Sequence, residues 1–495
     1  MRYDVVIVGS GFGGACAGLT LARAGARVLL LERGTPVRRD EDDWSPRRIL
    51  LERRYRTDAP LLVRQYGARR YVAEYPNAVV GGGSIFYGGA SMRLRTTDFA
   101  AWPFGYDALE PFYGEAERLL GVHGRAGADP HEPPRSTDYP HEPIDLTPPA
   151  QRIDAAARRL GYHPFALPMA LNFRDPARPL CIRCVTCDGF PCQIRAKNDL
   201  EVTILAEAVE AGLEIMAGVR VARLRVAGER AEAVECVEVD GGRAFAVEGD
   251  AFVLAAGALH TPEILLRSRL DGRPGAGLIG RHLMRHCNGV LAGVFPFRPN
   301  PEQVYHKQLC IADFYEDVRR EQGTATGLIQ DIYSPAAEVV RHHAPRGLGR
   351  PAGWASGFMQ NLLCIAEDEP RPSNAVNLSG ERDGHGLEIP WVDHEYTDAD
   401  RRRLRFLVRR ARRILRRAGA LYTHLYLIDT FSHAVGTVRT GSHPDEGAVD
   451  EWGRLWGLAN AHVMDGSVLP RSGGVNPSLT IAAFALRAAR ALERS

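Results

Sequence analysis

Lysine is almost missing from this chain. Of 62 basic residues only Lys197 and Lys307 are lysines, and the rest are arginines. Net charge is scarce too, at +2, so the overall balance gives no reason to expect a nucleic-acid partner. No run approaches the ~20 consecutive apolar residues of a membrane-spanning helix, which excludes an integral-membrane reading. The first apolar strand begins at Tyr3, with no room ahead of it for a secretory leader, so the chain reads as cytoplasmic. In a reducing compartment its nine cysteines are poor disulfide candidates.

What is present is enough chain, 495 residues, for about three domains or two large interleaved ones. The most informative segment is Tyr3-Asp-Val-Val-Ile-Val-Gly-Ser-Gly-Phe-Gly-Gly14, an apolar strand running into a G-x-G-x-x-G loop made by Gly9, Gly11 and Gly14. Helical spacing from Gly13 to Ala24 and an apolar run from Val28 to Leu31 complete a strand–helix–strand unit. Glu32 ends the second strand, with Arg33 beside it, near the ~20-residue offset at which a carboxylate grips a ribose hydroxyl. The glycines let backbone approach a pyrophosphate, whose charge the helix N-terminus stabilises. A dinucleotide is expected, either nicotinamide or flavin.

Further along, His123–Ala150 lacks periodicity and reads as a surface loop, and Glu201–Ala211 reads as a helix. Strand-like runs at 213–226, 231–238 and 251–256 suggest a sheet completed late in sequence, and mixed segments from about 288 to 430 suggest a separate antiparallel sheet. Within the latter, the Gly- and Pro-rich His342–Gly357 segment reads as a mobile cover. Arg401–Arg417 holds ten arginines, but Leu404, Leu407, Val408, Ala411, Ile414 and Leu415 recur at helical spacing. That pattern predicts an amphipathic helix with solvated arginines, capped by Thr397-x-x-Asp400 and stopped at Gly419.

Five further motifs follow in order: Gly81-Gly-Gly-Ser-Ile-Phe-Tyr-Gly-Gly-Ala-Ser-Met-Arg93, Val253–Ser268, Gly280-Arg-His-Leu-Met-Arg-His286, Glu369–Asn374, and a C-terminal set of His433-Ala-Val-Gly-Thr437, Val463-Met-Asp-Gly-Ser467 and Val475-Asn-Pro-Ser-Leu-Thr480. With these the chain resembles the glucose–methanol–choline (GMC) flavoprotein oxidoreductases over essentially its full length. The resemblance implies an α/β fold, α+β overall. A Rossmann-like FAD domain would come from residues 1–95, 196–287 and 433–495, and an antiparallel substrate domain from 96–195 and 288–432. It also implies oxidation of an alcohol by hydride transfer to flavin N5.

His433 matches the family's catalytic histidine and Asn476 its partner. A neutral imidazole can accept the hydroxyl proton, and an amide can donate to the same oxygen without competing for that proton. Cofactor contacts carried over are Gly9, Gly11, Gly14, Glu32, Arg33, Gly82, Gly83, Ser84, Tyr87, Val221, Ala256, Gly257, Asp465, Gly466, Asn476 and Pro477. Tyr87 stands where some relatives attach FAD through a histidine, so noncovalent FAD is expected. A redox-neutral lyase or decarboxylase, or a pure electron carrier, is the reading of another class.

Cys181, Cys184, Cys187 and Cys192 follow C-x2-C-x2-C-x4-C, close to a ferredoxin run. An iron–sulfur cluster or zinc is one reading, free or partly oxidised thiols the other. His282 and His286 have the spacing of a metal pair, although the surrounding family pattern explains them without metal. A looser resemblance, carried by Leu160-Gly-Tyr-His-Pro-Phe165, Ala196-Lys197 and Ser472–Pro477, is to actinobacterial aminosugar 6'-oxidases and dehydrogenases of aminoglycoside biosynthesis. It implies a sugar or aminosugar hydroxyl as substrate, with O2 or another electron acceptor. A hydrophobic alcohol such as a sterol is the alternative, and the polarity of the pocket wall between 288 and 430 discriminates. A cationic aminosugar calls for carboxylates near the flavin, and Asp313, Glu316, Asp317, Glu367, Asp368 and Glu369 are the candidates.

Overall fold

The computed structural model describes residues 2–65, 67–305, 307–322 and 324–494. Strand β1 (Arg2–Val8) is buried from Val5 to Val8, as a strand flanked on both sides and covered on both faces must be. It runs parallel to β2 (Val28–Glu32) on one side and to Ala244–Leu254 on the other. These strands centre a seven-stranded sheet, in the order Glu214–Ala217, β2, β1, Ala244–Leu254, Arg230–Glu238, Val219–Ala227. Its seventh strand, Ala461–Val463, adds in parallel to Phe252–Leu254.

Close packing at the first turn explains two of the glycines. Helix α1 (Phe12–Arg23) follows β1. A Cβ on Gly14 would lie 1.9 Å from the Gly9 carbonyl oxygen, and one on Gly13 would lie 1.7 Å from that of Met464. Only bare backbone lets the helix start touch both its own strand and the segment from the far end of the chain.

The second sheet is six-stranded and antiparallel, in the order Tyr422–Leu427, Cys287–Val294, Met359–Ala366, Leu328–Ile332, Leu309–Ile311, Phe165–Ala166. Period-two alternation gives it two different faces. Leu291, Ile329, Leu362 and Cys364 pack against Leu404, Leu407, Ala411, Ile414 and Leu415 of the helix Asp398–Arg417. That helix carries the expected Thr397/Asp400 capping box. One of its arginines departs from the solvated pattern: Arg403 is fully buried, donates to the Glu367 carbonyl and pairs with Asp400 and Glu369.

The strands Ala375–Arg382 and Glu388–His394 do not join the large antiparallel sheet, contrary to the reading of 288–430 as one unit. They form a four-stranded sheet with Leu61–Gln65 and Val72–Glu74, held by a small core of Leu61, Val63, Leu283, Val376 and Val392 and by the Arg64–Asp393 ion pair. The His342–Gly357 region lies across two short helices, Ala337–His343 and Gly349–Ala355, with Leu348 and Trp354 exposed. Among the described residues no helix is long and apolar enough to cross a membrane.

Replacing Gly13 by alanine is expected to push the Met464 segment away and destabilise the protein by on the order of 3 kcal/mol. A thermal melt checks this, and an unchanged midpoint would mean that the contact relaxes without cost.

Candidate active site

A cavity of about 950 Å³ lies between the seven-stranded sheet and the inner face of the antiparallel sheet. Its floor begins at the turn after β1. Gly9, Gly11, Phe12 and Gly13 line it, and the N-terminus of α1 has no side-chain cap. The first-turn N–H groups of a helix lack intrahelical partners and favour an anion. A Cβ on Gly11 would meet nothing within 4 Å, so this side of the turn is open for a ligand.

At one end stand Glu32, Arg33 and Val221, all in the cavity wall. The Glu32 carboxylate accepts from Ser10 N and Oγ and from Gly34 N, which leaves it lone pairs for a further donor. Arg33 Nη2 lies 2.8 Å from His260 Nε2. Val221 sits at a register shift in its strand pair. Gly82, Gly83, Tyr87, Ala256, Gly257, Asp465 and Gly466 line the cavity as well, and so do His433, Asn476 and Pro477. The Tyr87 hydroxyl donates to the Asn198 carbonyl.

Two of the expected contacts, Gly14 and Ser84, lie outside the cavity wall. Gly14 is not in the cavity wall and serves helix packing. Ser84 is fully buried outside that wall, its hydroxyl donating to Gly81 O and accepting from Leu200 N. Asp465 does line the cavity, but its carboxylate is engaged by Gly257 N, Thr261 Oγ1, Ser467 N and Ser467 Oγ. Burial pushes that carboxyl up, against the pull of these four bonds.

The catalytic end has a defined hydrogen-bond polarity. His286 Nε2 is 3.0 Å from the Ser472 carbonyl, which can only accept, so this nitrogen carries a proton. In a neutral ring His286 Nδ1 is then a lone pair. His433 Nδ1, 3.0 Å away, must donate to it, and His433 Nε2 is left unprotonated. That atom faces Asn476 Nδ2 at 3.5 Å, while Asn476 Oδ1 accepts from Gln330 Nε2 at 2.7 Å. Burial, then the neighbouring His286 and Lys307, push His433 well below its ordinary value, and burial lowers His286 too. Both rings are neutral at physiological pH, as the network requires.

His286 is held from behind. Its N–H and that of Arg285 donate to Asp368, which also accepts from Ser472 Oγ. His286 and His282 have φ of +60° and +65°, so they are not on a helix. The His282 ring turns to the Pro370 carbonyl, and the two do not form a metal pair.

The wall opposite comes from alternate positions of the antiparallel sheet: Asn288, Val290 and Ala292, then Met359, Asn361 and Leu363, then His424 and Tyr426. Polar and apolar side chains share it. Asp188 and Lys307, also in the wall, form an ion pair. None of Asp313, Glu316, Asp317, Glu367, Asp368 and Glu369 lines the cavity. Asp313 accepts from His163, Glu316 pairs with Arg319, and Glu367 and Glu369 pair with Arg471. Arginines elsewhere in the fold pair with three of the six, Glu316, Glu367 and Glu369.

The four-cysteine loop shows no arrangement that supports a metal centre. Among the described residues no group of three or more His, Cys, Asp or Glu side chains is arranged to hold a metal ion. Cys181 Sγ accepts from Arg183 N, and Cys192 Sγ accepts from Ala196 N and Lys197 N. Burial pushes the Cys181 thiol up to about 11 and the Cys187 thiol higher. The loop is organised instead by buried Lys197, whose Nζ donates to the carbonyls of Ile85, Cys187 and Phe190.

Glu32 and His433 line one continuous cavity, and its open helix terminus, the Glu32 carboxylate and the glycine-lined floor fit FAD. The site therefore belongs to a flavin-dependent oxidoreductase. Residues 3–288 and 370–485 match the two GMC oxidoreductase family models, and the chain belongs to this family as an FAD-dependent alcohol oxidoreductase. It is 32% identical to 6'''-hydroxyparomomycin C oxidase of Streptomyces lividus and 30% identical to paromamine 6'-oxidase of Streptomyces fradiae, in each case over 99% of this chain and 91% of the relative. The crystal structure of pyridoxine 4-oxidase from Mesorbium loti superposes with a TM-score of 0.69 at 22% identity, covering 99% of both chains.

A base held neutral by burial predicts a simple pH profile. With a good substrate, kcat/KM should be level through the neutral range and fall only at acid pH, well below the ordinary imidazole value of about 6.5, as His433 takes up a proton. A rate that keeps rising well into the alkaline range would show that the base titrates above its ordinary value.

Proposed function

We propose that the enzyme oxidises a primary hydroxyl of a sugar or aminosugar to the aldehyde, with His433 as base and Asn476 as the orienting donor. The observation that carries the chemistry is the pairing of an unprotonated His433 Nε2 with an amide N–H, Asn476 Nδ2, 3.5 Å apart in the cavity wall. An alcohol oxygen placed between them accepts from Asn476 and donates its proton to His433. The C–H bond then loses hydride as the C=O bond forms. Bound FAD supplies the hydride acceptor, and O2 or another acceptor restores it. Tyr87, with its hydroxyl committed to a backbone carbonyl, is consistent with noncovalent FAD.

Support for a hydroxyl-rich substrate comes from the opposite wall. Asn288 and Asn361 line the cavity, are buried, and each keeps a side-chain carbonyl oxygen without a protein hydrogen-bond partner. For Asn361 the other end of the amide is fixed, since Nδ2 donates to Tyr333 O. The two amides, with His424 and Tyr426, give the wall polar side chains, and polar groups in a wall favour a hydroxyl-rich ligand over a sterol. The two Streptomyces relatives named for paromomycin-type oxidations point the same way. Charge is less decisive, because the Asp188 carboxylate is balanced by Lys307. The division proposed is of cofactor residues drawn from 1–95, 196–287 and 433–495 and substrate residues from the rest.

Anaerobic mixing of the yellow holoenzyme with glucosamine glycosides, neutral glycosides and sterols should bleach the flavin with the sugars and not with the sterols. Bleaching by sterols alone would replace the substrate class, and bleaching by dithionite but by no alcohol would favour a redox-neutral activity. In the responding case Asn361→Leu should raise KM for the sugar by roughly tenfold. His433→Ala should keep its FAD and lose on the order of 10²–10⁴ in flavin-reduction rate, and near-normal reduction would remove His433 as the base.

A further inference from the structure

We infer that Gln330 is a positioning residue that decides which end of the Asn476 amide meets the reacting hydroxyl. The inference rests on the reading above, in which Asn476 and His433 share the substrate oxygen.

A primary amide has two ends of nearly equal size and opposite chemistry. If Nδ2 of Asn476 faces the site, it donates to the substrate oxygen and leaves the hydroxyl proton for His433. If Oδ1 faces the site, it competes with His433 for that proton and offers the developing oxyanion a lone pair instead of a donor. Size and packing do not distinguish the two ends. Hydrogen bonding does, and the contact on the far side of the amide is Gln330 Nε2 at 2.7 Å from Oδ1.

Gln330 is fully buried on the strand Leu328–Ile332, flanked in register by Cys310 and Leu363. Around it are sulfur and hydrocarbon: Met92 Sδ is 3.9 Å from Nε2, and Oε1 has no hydrogen-bond partner. The donors along the chain all point one way, with the Asn476 amide held between His433 on one side and Gln330 on the other. The Ser472 carbonyl can only accept, so His286 donates to it, His433 donates to His286, the Asn476 amide N–H points at His433, and Gln330 donates to Asn476. Reversing Gln330 would turn its Oε1 towards Asn476 and bring the amide carbonyl of Asn476 against the lone pair of His433 Nε2. Leaving Gln330 Oε1 unpaired is the lesser cost, and it places the loss at a site remote from the reaction.

Gln330→Glu tests this because glutamate keeps the shape and makes the donor titratable. While protonated, the introduced carboxyl donates to Asn476 Oδ1 as the native amide does. Once ionised it can only accept, and it turns the Asn476 amide around. In apolar surroundings its pKa should lie above the ordinary value of about 4.3. The expected result is near-normal flavin reduction at the acid end of the range and a fall of roughly tenfold or more as pH rises through that pKa, a limb that the parent enzyme lacks. Flavin content should be unchanged across it, and the thermal midpoint should fall behind that of the parent over the same interval, because a group with a raised folded-state pKa loses its stabilising contribution as it ionises.

Gln330→Leu, which leaves the amide unheld, should lower kcat by roughly tenfold with little change in KM and no new pH limb. It carries the test alone if Gln330→Glu yields no yellow protein. A parent-like pH profile in Gln330→Glu, or a parent-like kcat in Gln330→Leu, overturns the assignment of Gln330. Parent-like activity in His433→Ala would instead overturn the reading on which it rests, so the two failures are distinct.

Discussion

A single buried carboxylate, that of Asp465, ties the closing segment of the chain to its middle at the edge of the cofactor cavity. One oxygen takes the backbone N–H of Gly257 and the hydroxyl of Thr261, and the other organises the turn at Ser467. The bare Gly13 then lets the start of the first helix rest on the Met464 carbonyl. Strand Ala461–Val463 is too short to hold its place by three ladder residues alone, and it is these neighbouring contacts that fix it. Without them the floor of the cavity is a glycine-rich turn with no opposite side.

The same economy governs the reacting end. Ser472, His286, His433, Asn476 and Gln330 come from four separate stretches of chain, yet their hydrogen bonds run in one sense, from the Ser472 carbonyl at one end to the Gln330 amide at the other. The scaffold behind them is charged and closed: Asp368 grips the backbone of Arg285 and His286 together with the Ser472 hydroxyl. That arrangement holds His286 in a left-handed backbone conformation, φ +60°, which costs on the order of 1 kcal/mol for a non-glycine residue and is maintained by the hydrogen bonds around it. Protonation states are thus a property of the fold rather than of any one side chain.

How much of this could be read from residues alone follows physical range. The strand–turn–helix at Gly9–Gly14, the Thr397 cap and the amphipathic arginine helix are local patterns, and they stand where spacing puts them. Motifs also picked out His433, Asn476 and most of the glycines that line the cavity. Gln330 was not, since a glutamine at an inward position of a strand looks like any other until its partner 146 positions away is known. Nor was the four-stranded sheet, which joins strands at 61–74 to strands at 375–394. Ser84 and the cysteine loop misled for the opposite reason: residue types suited to ligands were satisfied by nearby backbone. The six acidic candidates failed because ion pairing depends on tertiary neighbours that sequence spacing does not reveal.

The scarcity of lysine acquires a meaning once the product is considered. The proposed oxidation of a primary hydroxyl yields an aldehyde, and aldehydes condense with unprotonated amines to form imines. Guanidinium groups, which supply nearly all the positive charge here, remain protonated and do not take part in that chemistry at neutral pH. Of the two lysines, Lys197 is buried with its ammonium bonded to three carbonyls, and Lys307 is buried in an ion pair with Asp188. Among the described residues, then, no lysyl amine stands on the surface for a released aldehyde to modify. On the proposed chemistry, an aldehyde leaving the cavity meets a surface whose positive charge is guanidinium throughout the described residues.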